Sequence, residues 1–511
     1  MARAGAQTGV VLRQPLIVLI WGVAALAMYL PAAFALAQNN HPVSRSFFYA
    51  GTLGLIGVTL VGITLSARRP RHGALGQLAS LVATFTVLPM FLAVPFHDAL
   101  GTTSFFNAYF DMVSSITTTG ANLFDDPARL DPALHLWRAQ VGWMGGLLMW
   151  IAAAAILAPL SLGGFEVTAR GEPGRPEAVP VQMQGANPRI RLLHATRTLA
   201  PLYAGLTVVV WVLLLIAGEA KLTALCHAMS VMATSGISPV GGLQGSTSGL
   251  AGEAILFLFM LFALSRLTFS GDTSTRGNGR LDRDPEFRIG MILVLGLPVV
   301  LFLRHWLAAF EVDATHDPVL ALRAFWGSMF TVLSFLTTTG FESNDWAEAR
   351  QWSGLGTPGM ILMGLAVIGG GVATTAGGVK LLRVYVLYLN GLRELEKLVH
   401  PSSVSRAGAS SKRIQKHGAF VAFIFFMLFA LSLSLVAVIL AGFGVEFENA
   451  FVLSIASLST TGPLIQAAAE TPIHLIELGT GAKAVLCAAM VLGRLETLAF
   501  VALLTPDLWR N

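Results

Sequence analysis

Four short phrases recur along this chain: "ITTTGAN", ending at Asn122, "MATSGIS", ending at Ser238, "FLTTTGFES" at 335–343, and "LSTTGPL", ending at Leu464. Each sets two hydroxyl side chains before a glycine. Thr118, Thr119 and Gly120 are matched by Thr234, Ser235 and Gly236, by Thr338, Thr339 and Gly340, and by Thr460, Thr461 and Gly462. These residue types suit the binding of a dehydrated alkali cation, which needs several oxygens and no proton chemistry. An extended backbone supplies such oxygens as carbonyls. Glycine permits the angles that turn successive carbonyls towards one axis, while short hydroxyl side chains pack behind or add oxygens. One such phrase would be an ordinary loop. Four of them, roughly a hundred residues apart and so far beyond the period of a solenoid, imply four copies of a larger unit.

The elements that carry the phrases belong to a membrane. The 511 residues are 54% hydrophobic and 12% charged, about half the charge of a soluble domain, with a mean hydropathy of +0.69. Ten apolar stretches near the roughly 20 residues that span a bilayer fall at 15–37, 47–66, 74–97, 136–160, 199–217, 251–269, 289–310, 358–391, 417–442 and 475–505. The first is too long for a signal peptide and is followed by a second, so a retained hairpin is expected. With the N-terminus inside, most of the 33 Lys and Arg fall in inner segments and most acidic residues in outer ones. This satisfies the positive-inside rule and gives cations an attractive outer entrance.

The expected fold is an all-α integral membrane protein. A hairpin at 1–66 precedes four helix–pore-loop–helix repeats at 67–160, 198–270, 288–400 and 417–511, joined by cytoplasmic linkers at 161–197, 271–287 and 401–416. Short apolar stretches lead into each phrase ("NAYFDMVSSITTTG", "TALCHAMSVMATSG", "GSMFTVLSFLTTTG", "NAFVLSIASLSTTG"). They are too short to cross and are expected to enter as half-helices and return as non-helical backbone lining a watery cavity. Around a pseudo-fourfold axis they would ring one pore, with helix C-termini pointing their negative ends at it.

Two features lie below the ring. The apolar run from Pro358 to about Leu398 would be roughly 60 Å long as a helix, twice the hydrocarbon thickness, so it must break or protrude. "GGGVATTAGG" (369–378) sits at mid-membrane depth, either as close helix packing by small residues or as a break. Arg494 stands mid-helix, where a charge costs roughly 2.5–3.5 kcal/mol, as a buried pair with Glu496 or a neighbour, or as a cation pointing into the pore. Lys380 and Arg383 read as interface snorkellers or partner contacts. Asp111 is either paired or feeds cations, and His227 reads as packing. The two cysteines, Cys226 and Cys487, are far apart in apolar stretches, which offers neither a disulfide framework nor a zinc spacing. "GLGTPG" (354–359) follows no strand and holds a proline where a nucleotide motif starts its helix. The basic segments lack interleaved aromatics, so no nucleic-acid partner is expected. A coupled secondary transporter would need ionisable groups at a midplane site, and an intramembrane enzyme would need a nucleophile and base that cannot be placed.

Beyond the four phrases, "LWRAQVGWMGG" (136–146), "IGGGVATTAGGVKLLRV" (368–384), "RELEKLVHP" (393–401) and "VLGRLETLAF" (491–500) stand in an order and context that resembles the potassium-translocating membrane subunit of the bacterial Trk and Ktr systems. The extra N-terminal hairpin resembles the Trk form. The resemblance implies filter roles for the four hydroxyl–hydroxyl–glycine triplets, with potassium selectivity going with glycine in all four. It implies a pore-blocking intramembrane loop over Gly369, Gly370, Gly371, Ala373, Thr374, Thr375, Ala376, Gly377 and Gly378, where Ala373 and Ala376 replace glycines usual in the family, and a pore-facing Arg494 as an electrostatic barrier. It further implies no enzyme activity, no cofactor in this chain, and a homodimer in the bacterial inner membrane with a cytoplasmic N-terminus. The expected partner is a separate cytoplasmic ring protein binding NAD or adenine nucleotides. The alternative is a sodium- or proton-coupled cation transporter with weak potassium selectivity.

Overall fold

A computed structural model describes residues 14–66, 74–160, 162, 164, 188–265, 284–307, 318–399 and 416–497. Most of each stretch expected as a linker, and the last expected apolar stretch beyond Thr497, lie outside these residues. The described chain is all-helical, and eight of its helices are long and apolar enough to cross a membrane. Its polarity is that of a lipid-solvated body. Large apolar side chains such as Leu53, Ile63, Ile216 and Val438 face outward, each at least 67% exposed, whereas the hydroxyl-rich stretches Thr117–Thr119, Thr337–Thr339 and Ser459–Thr461 are fully buried. With no water outside to bond a polar group, the interior is where such groups find partners.

The N-terminal hairpin, Leu16–Ala37 followed by His41–Ser66, docks on the first repeat. Gln140 Nε2 donates to the Ala27 carbonyl at 2.9 Å, Asn40 Nδ2 to Asp131 Oδ2 at 2.7 Å, and Phe47 meets Trp137 edge-on. Short helices then point into the body at Phe105–Ile116, Lys221–Ala233, Pro318–Leu336 and Phe447–Leu458. Ser104 caps the first by accepting from the Asn107 amide. The third is longer than the sequence suggests. It runs 19 residues, starting at Pro318, which suits a first helical position, and passing through Gly327.

Three other expected elements differ. The helix at 251–269 is helical over Gly249–Met260 and tightens to a 3₁₀ turn at Leu261–Leu264. The first helix of the second repeat starts at Pro188, within the stretch read as linker, and that of the third at Pro285. The long apolar run from Pro358 does break. Helix Pro358–Ile368 stops at Gly369, whose φ of 72° ends the ladder, and helix resumes at Leu381–Val399.

Candidate functional site

The four helices that lead into the phrases end in one backbone device. Thr118, Thr234, Thr338 and Thr460 all adopt left-handed angles, with φ between 50° and 57°. For a β-branched residue this is strained and persists only where the surroundings impose it. What imposes it is the next amide, which folds back onto the pore helix. Thr119 N donates to Ser114 O, Ser235 N to Ser230 O and Thr339 N to Ser334 O, each at 2.9 Å, and Thr461 N donates to Ala456 O at 2.8 Å. The hydroxyls face backwards too. Thr117 and Thr119 share a hydrogen bond of 2.8 Å, Thr337 and Thr339 one of 3.1 Å, Ser459 donates to Thr461 at 3.1 Å, and Ser230 meets Ser235 at 3.2 Å. These hydroxyls therefore serve as packing behind the backbone.

The glycines bring the four segments together in cyclic order. A Cβ on Gly120 would lie 1.7 Å from the Ser235 carbonyl oxygen, one on Gly236 2.2 Å from that of Thr339, one on Gly340 3.0 Å from Pro463, and one on Gly462 2.1 Å from the Ala121 amide. The first segment thus touches the second, the second the third, the third the fourth, and the fourth the first. Symmetry is imperfect. Gly120, Gly236 and Gly340 have positive φ and Gly462 does not, and its amide donates across to the Thr119 carbonyl at 2.6 Å.

The segment 369–380 packs against this ring, at Thr338 and Ser459. Its ends zip together, with Val379 N donating to Val367 O, Lys380 N to Ile368 O and Leu381 N to Gly370 O, so it is a closed loop held at its neck. Every repeat contributes a contact. Trp150 Nε1 donates to Ala373 O at 2.9 Å, and Thr375 Oγ1 to Met232 O at 3.3 Å. The Gly377 amide donates to Thr338 Oγ1 at 2.8 Å, the Val372 amide to Glu286 Oε1 at 3.0 Å, and Arg494 Nη1 to Thr375 O at 2.6 Å. A Cβ on Gly377 would sit 2.0 Å from the Ser459 carbonyl oxygen.

One expectation about charges is corrected, and one alternative for Arg494 is removed. Lys380 and Arg383 are not at an interface: they are 6% and 0% exposed, because the loop's return carries them back into the packed body. Lys380 Nζ donates to the Ala376 carbonyl. Glu496 pairs with Arg383 rather than Arg494, at 2.5 Å, and the Arg383 guanidinium lies 3.6 Å over the Phe425 ring. Asp111 is paired, with Arg138 Nε 2.9 Å from its Oδ2. His227 packs edge-on against Phe341, its Nε2 2.9 Å from Ser238 Oγ.

Two carboxylates that the sequence reading passed over brace the outer segments. Glu219 is bonded by the hydroxyls of Ser246 and Ser248 and by the Thr247 and Ser248 amides. Burial would raise its pKa, but these bonds hold it down at about 2. Glu253 accepts from Trp326 Nε1 at 2.8 Å, Ser343 Oγ at 2.7 Å and the Asn344 amide at 2.7 Å. The signal for both was a glutamate inside an apolar run. Glu253→Leu strands these buried donors. We expect it to cost roughly 1–3 kcal/mol, read as a fall in the unfolding midpoint of the detergent-solubilised protein; an unchanged midpoint would show the brace to be dispensable.

Residues 253–507 match the family model TrkH, described as a cation transport protein. The chain is 30% identical over 487 residues to the Trk system potassium uptake protein TrkH of Halomonas elongata, covering 92% of this chain and 95% of that one. It is 29% identical over 453 residues to the protein of that name from Escherichia coli K12, covering 86% and 89%. The crystal structure of the potassium transporter TrkH from Vibrio parahaemolyticus superimposes with a TM-score of 0.79 at 26% identity, over 99% of this chain and all of that one.

Proposed function

Because the chain belongs to the TrkH family of cation transport proteins, we propose that it is the potassium-translocating membrane subunit of a bacterial Trk-type uptake system, residing in the inner membrane with its N-terminus in the cytoplasm. The selectivity filter is the ring of Thr118–Gly120, Thr234–Gly236, Thr338–Gly340 and Thr460–Gly462, and potassium is its substrate. The observation that carries this reading is the cyclic contact of four segments, each following the C-terminus of a pore helix. The Ser235 and Thr339 carbonyl oxygens sit against the glycines of the neighbouring segments, while hydroxyls of the same phrases hydrogen-bond to one another. Helix ends and carbonyl dipoles both favour a cation at that point.

The gate is the loop at Gly369–Gly378 together with Arg494, since a loop pressed on the inner side of the ring blocks the exit. A homodimer with a cytoplasmic ring protein binding NAD or adenine nucleotides completes the system. That ring shifts the loop by binding its open and closed arrangements with different affinity.

The test is flux in proteoliposomes with potassium, rubidium, sodium or lithium as the sole permeant cation. Potassium and rubidium are expected to pass at least about tenfold faster than sodium and lithium, a discrimination of roughly 1.4 kcal/mol. Equal rates for all four would remove the filter assignment.

A further inference from the structure

All four filter glycines, Gly120, Gly236, Gly340 and Gly462, line one open vestibule, and the charged side chains on its wall are Arg138 and Glu342. Their situations differ. Arg138 is neutralised, with its Nε on Asp111 and its Nη2 donating to Asn122 Oδ1 at 3.2 Å. Glu342, two residues beyond Gly340, has no hydrogen bond or ion pair with any described residue. Its mount is nonetheless fixed, because the next two residues, Ser343 and Asn344, are both tied to the buried Glu253. Phe341 on its other side is buried against His227. A half-buried carboxylate on a fixed mount at the lip of this ring, with no hydrogen-bond partner among the described residues, is a ready point for a cation to bind.

We propose that Glu342 is the first cation-binding group on the outward side, taking a partly hydrated monovalent cation from the vestibule and passing it to the four glycines. The inference rests on the reading of the ring as a cation filter. Burial pushes the Glu342 carboxyl above the usual carboxylate range, with Arg350 pulling it partly back. An arriving cation relieves that desolvated charge, as the neutralised Arg138 across the vestibule cannot. The vestibule wall also includes the amide side chain of Gln466, a polar group that suits an ion keeping part of its water.

The experiment uses the full chain in proteoliposomes and follows initial flux against external potassium at low ionic strength. Glu342→Gln, which keeps the shape and removes the charge, is expected to raise the half-saturating potassium concentration about fivefold, the size of one unit-charge attraction across a few ångströms of water. Maximal flux should change little. The converse variant Gln466→Glu, which adds a carboxylate to the same wall, should lower it. Both shifts should shrink in high choline chloride as the charge is screened. Saturation curves that superimpose on the parent's for both variants overturn the proposal. If the parent itself carries no potassium, the transport reading fails, and the site is then judged by equilibrium. The potassium chloride concentration that half-stabilises the purified protein against thermal unfolding should rise about fivefold in Glu342→Gln, and an unmoved value overturns the proposal on its own.

Discussion

Gly120→Ala is expected to lose most discrimination between potassium and sodium, by about tenfold or more, equivalent to roughly 1.4 kcal/mol or more. The new Cβ would lie 1.7 Å from the Ser235 carbonyl oxygen, so that carbonyl must move by more than an ångström, and it belongs to the neighbouring segment of the ring. The φ of 68° at position 120 adds about 1–2 kcal/mol of backbone strain for an L side chain. Gly340→Ser is the instructive contrast. There the new Cβ meets the side chain of Pro463 at 3.0 Å, a neighbour that can shift by a few tenths of an ångström. The φ of 83° at position 340 carries the same backbone strain for an L side chain, but with a smaller steric displacement the variant should still fold and lose less selectivity. Relative permeability from reversal of flux in mixed potassium and sodium gradients checks both. Gly120→Ala with parental selectivity would mean that ions do not pass the ring.

That ranking was not legible in the sequence, where all four glycines look alike. The repeated phrase itself was legible because its causes are local: a short apolar helix, a residue forced left-handed, and a glycine. The interruption after Ile368 was legible as one of two outcomes, since an apolar run twice the membrane thickness must break or protrude and Gly369 allows a break. What could not be read are pairings made by distant parts of the chain. Arg383 and Glu496, 113 residues apart, meet only because the loop's neck returns residues 379–381 against 367–370. Glu496 stands two residues from Arg494, which made it the natural partner to assign, yet it turns to Arg383 while Arg494 reaches the loop. The deviation at Gly462 is of the same kind. It depends on the Thr119 carbonyl of another repeat, and nothing adjacent to it announces that contact.

Arg494→Ala is expected to raise potassium flux in the absence of any partner by about tenfold or more. Arg494 is 4% exposed and donates to the Thr375 carbonyl at 2.6 Å, so it both tethers the loop and brings a positive charge to it. A hydrogen bond from a charged donor contributes roughly 1.5–3 kcal/mol, and losing about 1.4 kcal/mol from a barrier is a tenfold change in rate. The loop does not fall away in this variant, because Trp150, Glu286 and Thr338 still hold Ala373, Val372 and Gly377. The two actions of the arginine separate in Arg494→Lys, which keeps the charge but withdraws the planar donor. If alanine opens the pore and lysine does not, the charge is the barrier. If both open it, the tether to Thr375 is. If neither changes flux while both lower the unfolding temperature, Arg494 is a structural residue and the gate must be sought elsewhere along 369–378.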